Sequence, residues 1–292
     1  MSHIAHRPGL GMGALAAGMF VLFVPASFAG AENGKAQNAK DAPPGVQAFQ
    51  KGDYVTAYRT WKAAADRGEA DAQYNLGMMY AKGWGVDRDQ DEAFRLFRLA
   101  ADQGHVAAEF RVGEMREKGW GAAPSFAEAQ RWYQMAAEGG DPDAEAGLGA
   151  LYEEGYGVDK DLKRAVMWYR QAAEHGMADA QFRLAFLTER GQGVAKDDME
   201  AIKWYFAAAN QGFAPAQARV GALYVDGKLL QQDNQKAYFW LTLATKQNLR
   251  VAERQRNELI KKLTKDDITK LEVQAAAWKP KLLRPKNPNI IQ

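Results

Sequence analysis

The sequence predicts an all-α solenoid of stacked helix–turn–helix repeats. Apolar residues recur at spacings of three and four, as amphipathic helices require, and a glycine follows each helical stretch. The pattern returns at 36-residue steps without an insertion, and a fixed period of 20–50 residues is typical of stacked repeats. One column of this period contains only glycine: Gly68, Gly104, Gly140, Gly176 and Gly212.

Each repeat contains two predicted helices, which we call helix A and helix B. In the first repeat, helix A runs from about Ala70 to Lys82, and Gly83 ends it because glycine accepts the left-handed conformation. Helix B follows Asp89, an N-cap candidate that Glu92 could answer in a capping box. Large aromatic residues recur in helix B and are predicted to fill the core between helices: Trp132, Tyr133, Trp168, Tyr169, Trp204 and Tyr205.

The third repeat carries the clearest form of the motif. It reads Leu148-Gly149, Tyr152, Gly155-x-Gly157-Val158, Ala165 and Trp168-Tyr169, followed by Ala172-Ala173 and Gly176. This pattern resembles the Sel-one-like repeat, a branch of the tetratricopeptide-like superfamily, over about residues 53–252. The resemblance implies a right-handed superhelix of helix pairs that binds other proteins.

Three repeats depart from the motif. The second has Arg116 for the tyrosine and Ala122 for the valine, and the fourth has Ala185 and Thr188 for the glycine and tyrosine. The fifth continues Lys228-Leu229-Leu230 after its first loop glycine and so loses the second one. We expect the stack to bend differently at these places.

The periodic pattern and the composition around it divide the chain into six segments. Atypical terminal units with a polar outer face keep a solenoid soluble. The predicted segments are a signal peptide (1–29), a flexible linker (30–44), an N-terminal capping helix pair (45–68), five repeats (69–248), C-terminal capping helices (249–278) and a basic mobile tail (279–292).

The first segment has the composition of a secretory signal. Arg7 precedes an apolar stretch from Leu10 to Val24, and small residues near Ala29 suit a cleavage site. A periplasmic or secreted protein is therefore predicted. The alternative is an uncleaved membrane anchor, since residues 8–31 carry no formal charge and could span a bilayer. The chain has no cysteine, which excludes disulfides, thiol catalysis and lipidation after the leader.

Charge is unevenly distributed along the chain. Residues 31–227 carry 23 Lys+Arg against 30 Asp+Glu, and residues 228–292 carry 14 against 6. The basic C-terminal tail could contact an acidic protein or an anionic membrane, although a solvated charge bias would explain it equally. An acidic body in an exported protein argues against nucleic acid as a partner.

The sequence contains little that suggests catalysis, and it predicts no enzyme, metal or cofactor. Two of its four histidines lie in the leader, and we interpret His105 and His175 as surface turn residues without a recurring carboxylate beside them. Asp87, Asp89 and Asp91 imitate a calcium loop but lack its glycine and its final glutamate. The glycine-rich loops follow helices rather than strands, so no phosphate loop is indicated.

One face of helix A lies opposite its core stripe and is the predicted partner-binding groove, since by the resemblance helix A lines the concave side. Its apolar and acidic composition suits an extended peptide or a partner helix with some basic character. Alternatively, the phenylalanines pack between neighbouring A helices, or the basic tail occupies the groove. The predicted groove residues are Tyr74, Met78, Phe110, Glu114, Glu117, Phe182, Phe186 and Glu189.

The sequence therefore predicts an exported, non-catalytic scaffold of the cell envelope that binds a partner protein or peptide. Two alternatives remain open. One is a β-lactamase-like envelope enzyme, as described for some cysteine-rich exported members of the repeat family. The other is a module that binds peptidoglycan or polysaccharide through loop aromatics such as Trp84, Trp120 and Tyr156.

Overall fold

A computed structural model describes residues 43–281, a range that contains fourteen α-helices and no strand. The helices are α1 (Pro44–Gln50), α2 (Tyr54–Asp66), α3 (Ala70–Lys82), α4 (Gln90–Ala101), α5 (Val106–Lys118), α6 (Phe126–Glu138), α7 (Pro142–Glu154), α8 (Leu162–Glu174), α9 (Ala178–Arg190), α10 (Asp198–Asn210), α11 (Ala214–Asp226), α12 (Asn234–Thr245), α13 (Arg250–Ile260) and α14 (Lys265–Ala277).

Consecutive helices pack on one another from α1 to α13, and the most extensive packing is within the pairs α3–α4, α5–α6, α7–α8, α9–α10 and α11–α12. The first helix of each pair is helix A of a repeat and the second is helix B. Packing only between neighbours is the defining property of a solenoid. The predicted all-α solenoid is therefore confirmed.

The B helices begin at side-chain caps, as the sequence predicts, but the capping box is incomplete. Asp89 accepts a bond from the backbone N–H of Glu92 at 3.0 Å. The Glu92 carboxylate turns instead to Arg95, whose Nε donates to it at 2.7 Å. The backbone N–H of Asp89 donates to the carbonyl of Tyr80 in helix A at 3.0 Å. This bond ties the start of helix B to helix A of the same repeat.

The core between helices follows the repeat columns. A column of helix B alanines is almost completely buried, which lets helix backbones approach closely: Ala93, Ala129, Ala165, Ala201 and Ala237. Tyr133, Tyr169 and Tyr205 are buried beside them, whereas Trp168 and Trp204 are only half-buried. The tyrosine of each aromatic pair therefore lies deeper in the core than its tryptophan neighbour.

Both ends of the repeat array are covered by other helices. At the N-terminal end, Val46 and Phe49 of α1 are buried in a cluster with Trp61 of α2. At the C-terminal end, α14 packs on α12, and the Tyr238 hydroxyl donates to Glu272 at 3.1 Å. The predicted signal peptide and nearly all of the linker lie outside the described residues, as does the tail beyond Lys281. Within residues 43–281, no helix is long and apolar enough to cross a membrane.

In three repeats a buried glutamine of helix A bonds to the preceding helix B and to the turn that follows its own helix B. Gln181 donates to the carbonyl of Ala173 at 3.0 Å and accepts a bond from Gln211 at 2.8 Å. Gln73 and Gln217 make the same two kinds of contact. In the second and third repeats this column holds Glu109 and Glu145, which are 5% and 3% exposed. A buried carboxylate cannot donate to a carbonyl unless it is protonated.

We expect Glu109→Gln to raise the free energy of unfolding by about 1 kcal/mol at pH 8, because glutamine can donate where an ionised carboxylate cannot. Burial raises the pKa of Glu109. The folded chain therefore holds this proton more tightly than the unfolded chain, and the resulting stability is lost as the pH rises through the folded pKa. The gain from Glu109→Gln should accordingly be smaller at pH 4 than at pH 8, as measured by urea unfolding.

Gln181→Glu is the reverse variant and serves as the control. It should destabilise the protein at pH 8 because it removes the bond to Ala173 and buries a carboxylate. A Glu109→Gln variant that is no more stable than the parent at pH 8 would contradict this account of the column.

Candidate functional site

Two cavities lie along the predicted groove face of helix A. The N-terminal cavity, of about 210 Å³, lies between α3 and α5, and its lining includes Met78 and Glu114. The C-terminal cavity, of about 570 Å³, is bounded by α9, α11 and α13, and its lining includes Phe182, Phe186 and Glu189. The structure thus groups five of the eight predicted groove residues into two recesses.

Tyr74 is not available to a partner, contrary to its place in the predicted groove. Its residue surface is 1% exposed, and its ring stacks on that of His105 with the centroids 4.8 Å apart. Phe97 of α4 packs against the same ring at 5.5 Å. A helical wheel places Tyr74 opposite the core of its own helix, but the turn after α4 brings His105 over it. Tyr74 is therefore a core residue.

The three groove phenylalanines are half-buried, and two of them pack on a tyrosine of helix B. Phe110 stacks on Tyr133 of α6 at 5.6 Å, and Phe182 contacts Tyr205 of α10 at the same centroid distance. The ring of Phe186 lies beneath the Arg190 guanidinium. These contacts leave part of each ring accessible. Phe110 lines neither cavity, whereas Phe182 and Phe186 both line the C-terminal one.

The groove glutamates are already bonded within the chain. The Tyr133 hydroxyl donates to Glu117 at 2.7 Å, and the Tyr205 hydroxyl donates to Glu189 at 2.8 Å. Burial raises the pKa of both tyrosines and the adjacent carboxylate raises it further, so the hydroxyls remain donors. Arg219 of α11 forms an ion pair with Glu189 as well. A periodic signal was present in the sequence, because Glu117, Glu153 and Glu189 share one column and Tyr133, Tyr169 and Tyr205 another.

Glu114 in the N-terminal cavity is also neutralised by cations. Arg111 and Lys118 bind its carboxylate at 2.9 and 2.5 Å. Burial acts to raise the pKa of Glu114, but these two cations outweigh it and the pKa lies below its usual value. The groove therefore attracts a basic partner less than its composition predicts.

The two histidines in the described range lie beside carboxylates, and His105 is not a surface residue. The His105 side chain is 7% exposed, and its Nε2 lies 3.4 Å from Asp71. Its Nδ1 accepts a hydrogen bond from the backbone N–H of Ala108 in the first turn of α5. Nδ1 of His175 lies 2.8 Å from the carboxylate of buried Glu145. Each carboxylate comes from helix A of the same repeat, and the sequence analysis did not predict these contacts. Among residues 43–281, no group of three or more His, Asp or Glu could hold a metal ion.

The repeat sequence matches a known family throughout its periodic part. The profile of the Sel1 repeat matches residues 70–105, 106–141, 142–177, 178–213 and 214–249. The chain belongs to the Sel1 repeat family. Its five matched repeats begin one residue later than the predicted array of residues 69–248.

Solved structures similar to this Sel1 repeat protein support the same assignment. A Sel1 repeat protein from Oxalobacter formigenes is 32% identical, with a TM-score of 0.64, and the match covers 70% of this chain and 84% of that one. The protein c5321, a protective antigen of uropathogenic Escherichia coli with an SLR fold, is 28% identical with a TM-score of 0.50. That match covers 80% of this chain and 60% of the longer c5321 chain. A comparison with curated proteins gave no match.

Sel1 repeat proteins are generally protein–protein interaction modules, and the repeat is a non-catalytic scaffold type. This function requires accessible surface on a rigid array rather than a set of reacting groups. In this Sel1 repeat protein, the C-terminal cavity is the larger of the two recesses along the groove face of helix A.

The fifth repeat departs from the Sel1 pattern at the edge of this cavity. In earlier repeats the second loop glycine lies against the preceding helix B. A Cβ on Gly193, for example, would lie 2.2 Å from the carbonyl oxygen of Leu162. Leu229 occupies the same column and has a side chain that could not fit there. It is half-buried and lines the C-terminal cavity together with Lys228. The irregular loop of the fifth repeat therefore adds apolar surface to the candidate site.

Proposed function

We propose that this Sel1 repeat protein is an exported, non-catalytic scaffold of the cell envelope that holds a protein partner on the groove face of helix A. The observation that carries the proposal is the C-terminal cavity. Its volume of about 570 Å³ falls within the range of ligand-binding clefts, and it combines accessible phenylalanine surface with charged groups. Export is supported by the leader sequence, whose residues lie outside the described part of the chain.

A protein partner fits the structure better than a polysaccharide does. Sugar-binding sites need accessible aromatic rings, but Trp84 packs edge-on against Phe49 with the centroids 5.1 Å apart. Tyr156 stacks on Phe126, and Lys118 lies 4.6 Å above the Trp120 ring. These contacts engage all three aromatics within the chain, although Trp120 and Tyr156 remain 41% and 43% exposed.

The basic C-terminal tail is proposed as a second contact, to an acidic protein or an anionic membrane. Its first residues lie beside the turn between the fourth and fifth repeats, where the Lys281 N–H donates to the carbonyl of Asn210 at 2.7 Å. Pro215, just after that turn, lines the C-terminal cavity. A partner in the cavity would therefore lie close to the start of the tail.

Site-specific photo-crosslinking in the native host tests the proposal. A crosslinker at Phe186 should capture a discrete partner, and one at Met199 should not, because Met199 is 62% exposed on α10 and lines neither cavity. Mass spectrometry of the adduct identifies the partner and reports the mature N-terminus. Equal adducts from both positions would contradict the groove, and a mature chain beginning at Met1 would contradict export by a cleaved signal.

A further inference from the structure

The charged groups of the C-terminal cavity are unequal in number. Its lining contains four cations and three carboxylates, and each carboxylate has a cation partner within the cavity. The ion pairs are Arg219 with Glu189, Lys196 with Asp198 and Lys228 with Asp226, the last two at 3.2 Å. A basic ligand would therefore meet carboxylates whose charge is already offset by a cation of the cavity.

The remaining cation is Arg190, the last residue of α9. None of the described carboxylates forms an ion pair with it, and its guanidinium carbon lies 4.1 Å from the centroid of the Phe186 ring. Such a cation–π contact orients the guanidinium but leaves its N–H groups able to bind a carboxylate. Arg190 is exposed, so a ligand can reach it without rearrangement of the chain.

Apolar surface lies beside this cation. Phe182 and Phe186 are half-buried, as is Leu229 from the irregular loop, and Val251 of α13 is 53% exposed. A partner side chain that covered these groups would remove apolar surface from water, which favours binding. The ligand that matches the cavity thus combines one negative charge with an adjacent apolar side chain.

We propose that the C-terminal cavity binds an acidic peptide segment, in which the carboxylate of an Asp or Glu pairs with Arg190 while a neighbouring apolar side chain contacts Phe182, Phe186 and Leu229. This inference rests on the proposed function and specifies its partner. It replaces the basic partner that the sequence predicts, because the groove glutamates bond within the chain and no carboxylate of residues 43–281 forms an ion pair with Arg190.

Selection from a random peptide library tests this chemistry while the natural partner is still unidentified. The full chain is immobilised and presented with displayed random dodecapeptides, in which acidic and basic residues are equally available. Enriched peptides should contain Asp or Glu beside large apolar residues. An enriched peptide should lose about tenfold in affinity on Arg190→Gln, because the substitution removes the charge that pairs with its carboxylate.

Arg183→Gln is the matched control. Arg183 belongs to the same helix and is exposed like Arg190, but it lies 3.8 Å from Glu153 and does not line the cavity. Its substitution should leave the affinity within about twofold, well inside a single tenfold step. Enrichment of Lys- or Arg-rich peptides, equal losses for both variants, or no enrichment that depends on Arg190 would each overturn the proposal.

Charge reversal separates recognition from a structural effect of Arg190. Arg190→Glu should select peptides in which Lys or Arg replaces the acidic residue beside the apolar one, and merely loosening α9 would not produce that exchange. Thermal unfolding of each variant confirms that the fold is intact. If this selection fails while a crosslinker at Phe186 still captures a partner, the acidic-peptide assignment is wrong and the proposed function stands.

Discussion

Tyr74→Ala is expected to lower the free energy of unfolding by about 3–5 kcal/mol, the range for removing a large buried aromatic side chain. Tyr74 is 1% exposed and fills the space between His105 and Phe97. The substitution leaves a void because the flanking helices are held by other contacts. Urea unfolding followed by circular dichroism measures the loss.

Met78→Ala is the comparison, because Met78 is on the same helix and belongs to the same predicted groove. Met78 is half-buried and lines the N-terminal cavity, so its removal should cost about 1 kcal/mol. Equal costs for the two variants would mean that Tyr74 is not the core residue described above. A large difference would show that neighbouring positions on one helix face serve different purposes.

Gly193→Ala is expected to destabilise the protein by about 2–5 kcal/mol, through two effects that add. Gly193 has a φ of +72°, which is costly for alanine. An added Cβ would also lie 2.2 Å from the carbonyl oxygen of Leu162, a backbone atom that cannot rotate away. The loop between α9 and α10 would have to separate from the start of α8. Thermal unfolding and hydrogen exchange at the start of α8 would report the change.

Gly104→Ala isolates the conformational part of this effect. Gly104 has a φ of +79°, but no heavy atom lies within 4 Å of the position its Cβ would take. Its substitution should therefore cost only about 1–2 kcal/mol, the penalty for a left-handed residue. If Gly104→Ala and Gly193→Ala lowered the free energy of unfolding equally, the predicted clash of the added Cβ with Leu162 would be wrong.

The fold could be predicted from the sequence because every repeat packs on its neighbours in the same way. Residues that recur at one period, such as the alanine column through Ala165, have to occupy equivalent places in a stack. Local signals were equally clear where a single residue determines the geometry. Asp89 caps α4 and Gly83 ends α3 because capping and positive φ depend on the residue itself.

The candidate site was harder to predict because the exposure and charge of its residues depend on contacts between different helices. Glu189 could be assigned to the groove face of helix A from its position in the repeat. Its carboxylate is bound by Tyr205 of α10 and Arg219 of α11, and the sequence of α9 does not show either contact. The contact between Tyr205 and Glu189 could have been predicted, because tyrosine and glutamate recur in two columns of the repeat whose side chains can form a hydrogen bond.

The sequence by itself determined the helical repeat, its period and the family to which the chain belongs, since these depend on the spacing of residue types along one helix pair. Only the tertiary structure decided which groove residues a partner can reach. It buried Tyr74 beneath a neighbouring turn and gave the groove glutamates bonding partners within the chain. It placed none of the carboxylates of residues 43–281 in an ion pair with Arg190. The physical reason is that exposure and charge compensation depend on groups of adjacent helices. A helical wheel describes one helix and gives no distance to another.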